Sequence, residues 1–264
     1  MVKLEGFVLS HEGSIRGNNE DNFLLFGKNK KDPLEKRISL SKSVLAGKKI
    51  AGVFDGMGGE TAGEIASLMA SECYSPCDIG NVRESMRRQS ADANRKICAT
   101  MAEHNCIMGT TAVLLFFDDR KCVCANLGDS RAYLYRGSNL FQLSADHSEG
   151  QMMIDLGKVT REEARQSGAW HRLTKHLGIP ENEYIAEPFV GEAIDLHEGD
   201  LFMLCSDGLT DMVSDDEILS MLDTYGHDND LIDIAGRLLG RAIENGGEDN
   251  VTIMLIRVTP GLFI

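Results

Sequence analysis

Basic residues are scarce for a chain of this size: 27 Lys and Arg stand against 41 Asp and Glu, a formal net charge of −14 over 264 residues. That balance excludes a nucleic-acid surface, which needs a basic face. There is no Cys-x-x-Cys pair, and the 7 cysteines are scattered, with Cys122, Cys124 and Cys205 inside apolar runs. Reduced, buried thiols fit that pattern, whereas a disulfide framework or a zinc site does not. No apolar run approaches the length of a bilayer span, and Met1 to Ser10 carry neither a basic leader nor a long apolar core. A soluble, cytoplasmic protein with no membrane partner is therefore expected. Prolines number only 5 and no stretch is rich in Pro, Gly and Ser, so there is no recognisable linker and one domain over 1–264 is expected.

What the chain does contain is an apolar run, Ile50 to Phe54, that ends in Asp55 and then Gly56, Met57, Gly58 and Gly59. Such a run reads as a buried strand, and glycines let the backbone approach a ligand without Cβ interference. Ala62, Ile65, Ala66, Met69 and Cys73 then share one helical face. The unit is strand, glycine turn, helix, with Asp55 at the corner. Taken singly, Asp55 reads equally well as a cap or turn residue. The setting recurs, however, where Asp200 to Cys205 runs into Ser206-Asp207-Gly208, and where Glu248-Asp249-Asn250 opens the run Val251 to Val258.

The intervening pattern supplies the scaffold. Gly6 to Ser10 and Asn22 to Phe26 read as strands joined by a polar connector that carries Arg16 and the pair Glu20-Asp21. Lys28 to Lys49 is a locally basic segment, read either as a solvated hairpin extension or as a docking surface for acidic phosphoproteins. Val82, Met86, Ala93, Ile97 and Met101 mark one face of a long helix. Four strand-like runs between Gly109 and Leu143 predict an antiparallel meander. The region from Asp146 to about Pro188 is irregular, the usual sign of a functional loop. Ser214 to Glu217 has the spacing of a capping box, and Asp228 and Asp230 precede a helix running to about Asn245.

Adjacent strands lie only ~5 Å apart, so the ends that carry Asp55, Asp207 and Asp249 are able to converge. Buried carboxylates repel, and such a cluster persists only if a cation neutralises it or its members take up protons. Ligation by oxygen alone selects hard ions such as Mg²⁺ or Mn²⁺. Arg16, near Glu20 and Asp21, adds a planar fork suited to phosphate.

These pieces resemble the metal-dependent serine/threonine phosphatases of the protein phosphatase 2C family, in their compact bacterial form. The matching motifs are Arg16-x-x-x-Glu20-Asp21, Asp55-Gly56-Met57-Gly58-Gly59, Gly109-Thr110-Thr111, Gly128-Asp129-Ser130-Arg131, Asp146-His147-Ser148, Ser206 to Asp211 and Glu248-Asp249-Asn250. They follow the family's order over nearly the whole chain. The resemblance implies an α+β fold, a four-layer sandwich of two antiparallel β-sheets flanked by helices on both outer faces. It implies two tightly held Mn²⁺ or Mg²⁺ ions bridged by Asp55, with Asp207 and Asp249 on one, and Glu20 or Asp21 with the Gly56 carbonyl on the other. Asp129, with Asp211, matches a weaker third-metal position. Arg16 would bind phosphate, and a hydroxide bridging the two ions would attack phosphorus in line.

The implied function is hydrolysis of phosphoserine and phosphothreonine on proteins, by a monomer that reverses the action of a serine/threonine kinase on its targets. The basic segment at 28–49 departs from the compact bacterial pattern, and the region at about 146–188 corresponds to the family's variable flap. Met57 stands where a proton-donating histidine is common in eukaryotic members; a metal-bound water is the first choice of donor in its place, and His147 is a second candidate that reads more readily as a structural hydrogen bonder beside Asp146. Two other readings stay open: a phosphoprotein-binding module of the same fold with little catalysis, and a hydrolase of small phosphoesters. A cysteine-dependent phosphatase needs Cys-x5-Arg, and Cys124 to Arg131 has one residue too many. The expected outcome is phosphomonoester hydrolysis that disappears on chelation of divalent metal and survives thiol alkylation. The reverse pattern in a phosphate-release assay would overturn the assignment.

Overall fold

The computed structural model describes residues 2–58, 62–74, 79–180, 187–226 and 230–261. Its strands are β1 (Val2–His11), β2 (Asn22–Leu25), β3 (Lys28–Asn29), β4 (Arg37–Leu45), β5 (Lys49–Phe54), β6 (Gly56–Gly58), β7 (Met108–Thr110), β8 (Ala112–Phe117), β9 (Lys121–Leu127), β10 (Arg131–Arg136), β11 (Asn139–Gln142), β12 (Phe189–Val190), β13 (Ile194–Asp195), β14 (Leu201–Cys205) and β15 (Val251–Pro260). The helices are α1 (Gly63–Tyr74), α2 (Val82–His104), α3 (Glu149–Asp155), α4 (Arg161–Arg165), α5 (Asp207–Thr210), α6 (Asp215–Tyr225) and α7 (Leu231–Glu244). One sheet runs β11-β10-β14-β15-β1-β4 and the other β12-β9-β8-β5-β2-β3, with β13 also on β9. A third, small sheet is β6-β7.

Unbroken apolar runs become strands here because both of their faces are covered. In β14, Phe202 and Leu204 enter the core between the sheets, while Leu201, Met203 and Cys205 turn outward onto α6 and α7. In β8, Val113, Leu115 and Phe117 point inward, and Leu114 and Phe116 meet α1 and α2. This period of two builds four layers, α1/α2, sheet, sheet, α6/α7, as the resemblance implied. Phe117 and Phe202 meet edge to face across the sheets, centroids 5.5 Å apart. Burying each such ring is worth roughly 1.5–3 kcal/mol.

The capping box at Ser214 and Glu217 forms as its spacing predicts, and Asp230 caps α7 by accepting from the Ile232 N–H. Gly59, Asp228 and part of the expected flap, 181–186, lie outside the described residues.

Three local features differ from the sequence expectation. Gly56 to Gly58 is a short strand on β7, not a turn. Glycine is needed at 56 because a Cβ would lie 2.3 Å from the Gly63 carbonyl oxygen and 2.4 Å from that of Glu20. The run from Gly109 to Phe117 breaks at Thr111, whose N–H donates to the Asp55 carbonyl and whose Oγ1 accepts from the Asp55 N–H. The basic segment is no free hairpin: β4 pairs along β1 from Lys3–Leu45 to His11–Arg37. Several of its cations are engaged, Arg37 with Glu12, Lys31 with Glu72, and Lys42 with the Phe26 carbonyl. Lys30 is wholly buried.

Asp146-His147-Ser148 is joinery at the root of the irregular region. Asp146 receives Arg131 Nη2 at 2.6 Å and Nε at 2.9 Å, Ser148 caps α3, and Arg131 Nη1 reaches the Tyr133 hydroxyl at 3.1 Å. The Arg131 and Asp146 side chains are only 2% and 4% exposed. Removing one partner of a buried pair strands the other charge. Asp146→Ala is therefore expected to cost about 3–5 kcal/mol in urea unfolding, and a loss below about 1 kcal/mol, the ceiling for a typical exposed pair, would show that the pair is not structural.

Candidate active site

Five of the candidate acids stand at the ends of different elements. Asp55 follows β5, Asp207 opens α5 directly after β14, Asp249 precedes β15, Asp129 sits in the turn between β9 and β10, and Glu20 precedes β2. Glu20, Asp55, Asp129, Asp207, Asp211 and Asp249 line one cleft of about 1370 Å³ at an end of the sandwich. Arg16 stands at its mouth, Nη2 2.8 Å from Asp249 Oδ2. Gly56 and Met57 form part of the wall.

Beneath the cleft floor lies a layer of hydroxyl and amide side chains. Asp21 is not on the lining; it is fully buried and accepts from Ser206 Oγ at 2.8 Å and Thr252 Oγ1 at 2.6 Å. The structure thus separates the adjacent acids: Glu20 faces the cleft and Asp21 lies behind it. Asn250 Oδ1 accepts the Glu20 N–H at 2.8 Å, while its Nδ2 donates to the carbonyls of Glu12 and Asn18. Ser67 Oγ donates to the Glu20 carbonyl at 2.6 Å. A Cβ at Gly63 would fall 2.2 Å from Glu20 Oε2 and 2.9 Å from the Gly56 backbone carbon, so a side chain there would displace Glu20.

The electrostatics are those of acids awaiting a cation. Burial, reinforced by the charges of Asp207, Asp21 and Asp249, pushes the Asp55 carboxyl far above its ordinary range. Asp207 rises likewise, by burial and then by Asp129, Asp211 and Asp249. Burial lifts Asp129 to about 7, helped by Asp146 and Asp211. Asp21 is raised to about 6, again mainly by burial. Buried oxygens of Asp21 (Oδ1), Asp207 (Oδ1) and Glu64 (Oε2) have no hydrogen-bond partner. Orphaned oxygens, raised carboxyls and a predominantly carboxylate donor set at this spot, joined by His171, fit hard divalent ions.

His147 does not line the cleft. Its Nδ1 accepts the Gly128 N–H at 3.2 Å, and burial holds its pKa near 4, so it is a neutral brace. The imidazoles on the cleft wall belong to His171 and His176. His171 Nδ1 is 3.4 Å from Asp211 Oδ2, and ligand atoms of His171, Asp207 and Asp211 lie within 4.8 Å of one another. Trp170 Nε1 donates to Asp211 Oδ1 at 2.9 Å. Glu64 and His171 escaped the sequence reading because neither follows a strand-end pattern. The acidic first turn of α1, where Glu64 sits, was the one available signal.

Comparison with known proteins follows the same lines. The sequence model described as "Protein phosphatase 2C" matches residues 13–151 and 157–251. The serine/threonine protein phosphatase PstP of Mycobacterium tuberculosis is 29% identical over 262 residues, covering 94% of this chain and 44% of that protein. The chain thus spans less than half the length of that relative. The serine/threonine phosphatase stp of Listeria welshimeri is 30% identical over 254 residues, 92% of each chain. The crystal structure of the PstP catalytic domain in complex with two manganese ions superposes with a TM-score of 0.78 at 29% identity, over 98% of this chain and 100% of that one.

The raised acids give the metal-free protein a signed pH dependence. Asp129 loses its proton near 4 when unfolded but near 7 when folded. The native state therefore holds the proton longer, and stability falls as pH rises through that window. Asp129→Asn removes this loss. Its stability relative to the parent is expected to be near zero at about pH 4 and positive, on the order of a few kcal/mol, at about pH 8 in chelator-treated urea melts. A pH-independent difference would contradict the raised carboxyl.

Proposed function

The chain belongs to the protein phosphatase 2C family, and on that premise we propose that it removes phosphate from phosphoserine and phosphothreonine of proteins, opposing a serine/threonine kinase. The observation that carries this reading is the convergence of Glu20, Asp55, Asp129, Asp207, Asp211 and Asp249 in one cleft, with orphaned buried oxygens on Asp21, Asp207 and Glu64. Glu20, Asp55, the Gly56 carbonyl, Asp207 and Asp249 would hold two Mn²⁺ or Mg²⁺ ions. Asp129 and Asp211 would hold a weaker third. Bound divalent ions supply Lewis acidity and a water-derived nucleophile at neutral pH.

The protein's own groups do the rest. Arg16, more than half exposed at the cleft mouth, is free to swing its fork from Asp249 onto two phosphate oxygens and to stabilise charge that develops on them. Asp55, fixed through its backbone by Thr111, holds the centre of the acid cluster. Met57 lines the wall with no proton to give, and His147 stands outside the lining. We take 1–264 as one catalytic domain, monomeric and cytoplasmic, with its flap at about 146–188. No described helix is long and apolar enough to cross a membrane.

The test compares Mn²⁺-dependent phosphate release from a phosphoserine protein with that from a small aryl phosphate. Binding energy from substrate parts remote from the reacting bond lowers the barrier, so kcat/KM is expected to be at least about tenfold higher for the protein. Equal or reversed values would make the chain a small-phosphoester hydrolase. Binding without release would make it a phosphoprotein-binding module.

A further inference from the structure

Lys30 is the anomaly of the basic segment. Its side chain is 0% exposed, and burying an ammonium costs several kcal/mol that an apolar side chain of similar length would avoid. Nζ donates to the Asn19 carbonyl oxygen at 2.7 Å. The nitrogen of that same peptide group, the Glu20 N–H, donates to Asn250 Oδ1 at 2.8 Å. The peptide that carries Glu20 into the cleft is thus clamped from both sides, by Lys30 on its oxygen and by Asn250 on its nitrogen.

The rest of the segment reinforces the clamp. Asn22 accepts from the Lys30 N–H at 3.2 Å and donates to its carbonyl at 3.1 Å, which fixes the root of the lysine. The Lys36 carbonyl accepts Asn19 Nδ2 at 2.9 Å, and Asn19 Oδ1 accepts the Asp21 N–H at 3.1 Å. The charges acting most strongly on Lys30 are Asp21 and then Glu64, both of which have an unpartnered buried oxygen. We propose that Lys30 is a positioning residue: the 28–49 segment braces the Asn19-Glu20-Asp21 loop from beneath and holds it in the geometry that receives a divalent ion. This rests on the metal-dependent reading above.

Charge and position predict opposite signs. A lysine acting only through its charge repels an incoming cation, so its removal would tighten metal binding. A lysine acting as a brace holds a ligand in place, and losing such outer contacts typically weakens metal affinity about 10–100-fold. Lys30→Met, which keeps the length and removes the donor, is titrated with Mn²⁺ by calorimetry on the full chain, beside the Mn²⁺-induced rise in melting temperature. The expected result is at least about tenfold weaker Mn²⁺ binding, with KM for a small aryl phosphate at saturating Mn²⁺ unchanged, because Arg16 is untouched. Parental or tighter binding overturns the proposal, as does weaker binding accompanied by a matching rise in KM. If Lys30→Met does not fold, Lys30→Gln, whose amide nitrogen ends one bond short of the lysine's reach to the Asn19 carbonyl and carries no charge, takes its place under the same criteria. A parent that binds no Mn²⁺ overturns the functional reading and this proposal together. A parent that binds Mn²⁺ and is matched by the variant overturns only the role of Lys30.

Discussion

Mutual repulsion among carboxyl groups at one end of the sandwich is the constraint to which the rest of the molecule answers. Glu20, Asp55, Asp129, Asp207, Asp211 and Asp249 share one cleft, and Asp21 and Glu64 lie buried close behind it. Burial and the neighbouring charges hold the carboxyls of Asp55, Asp207 and Asp129 above their ordinary range. A cluster of this kind is tolerated because the apolar layers on either side of each sheet stabilise a fold that the acids alone would force open. A divalent ion entering such a cluster would relieve the repulsion.

Holding acids at fixed positions needs a rigid frame, and the frame is built from uncharged polar side chains. Thr111 and Ser130 pair their hydroxyls at 2.7 Å beside Asp55. Ser206 and Thr252 converge on Asp21, and Thr252 pairs in turn with Ser10 at 2.7 Å. Asn250 ties the connector between β1 and β2 at three points, Glu12, Asn18 and Glu20. Such outer contacts fix the orientation of ligands and tune what they bind. Glycine at 56 and 63 serves the same end by default, since any side chain there would collide with Glu20.

The side of the cleft formed by Arg165, Trp170 and His171 is held by aromatic and ionic contacts. Trp170 is nearly buried, its ring 5.3 Å from the guanidinium of Arg165 and 5.9 Å from that of Arg131, and its indole N–H reaches Asp211. Arg131 is anchored on Asp146. The Gly128-to-Arg131 motif thus does two jobs: Asp129 faces the cleft and Arg131 bolts the root of the irregular region after Asp146 to the sheet.

The sequence by itself determined the apolar runs, the acids at their ends and the hard-ion chemistry those acids suit, while the layers were legible only through the family resemblance that the motifs carry. A short apolar run bounded by glycine and turn residues favours a buried strand, and an acid at its end then emerges at the sheet's rim. Only the tertiary structure decided which neighbour in a pair faces the cleft. Glu20 and Asp21 are adjacent in sequence, yet hydroxyls from two distant strand ends capture Asp21 and leave Glu20 to the cleft. The same holds for His147, drawn inward by the Gly128 N–H, for His171, brought to Asp211 from 40 residues away, and for Lys30, whose place in a basic run gave no sign that it would be buried. Periodicity reports what a residue's own element does with its side chain. It carries no record of partners supplied by other elements, and in this protein those partners select which polar groups reach the site.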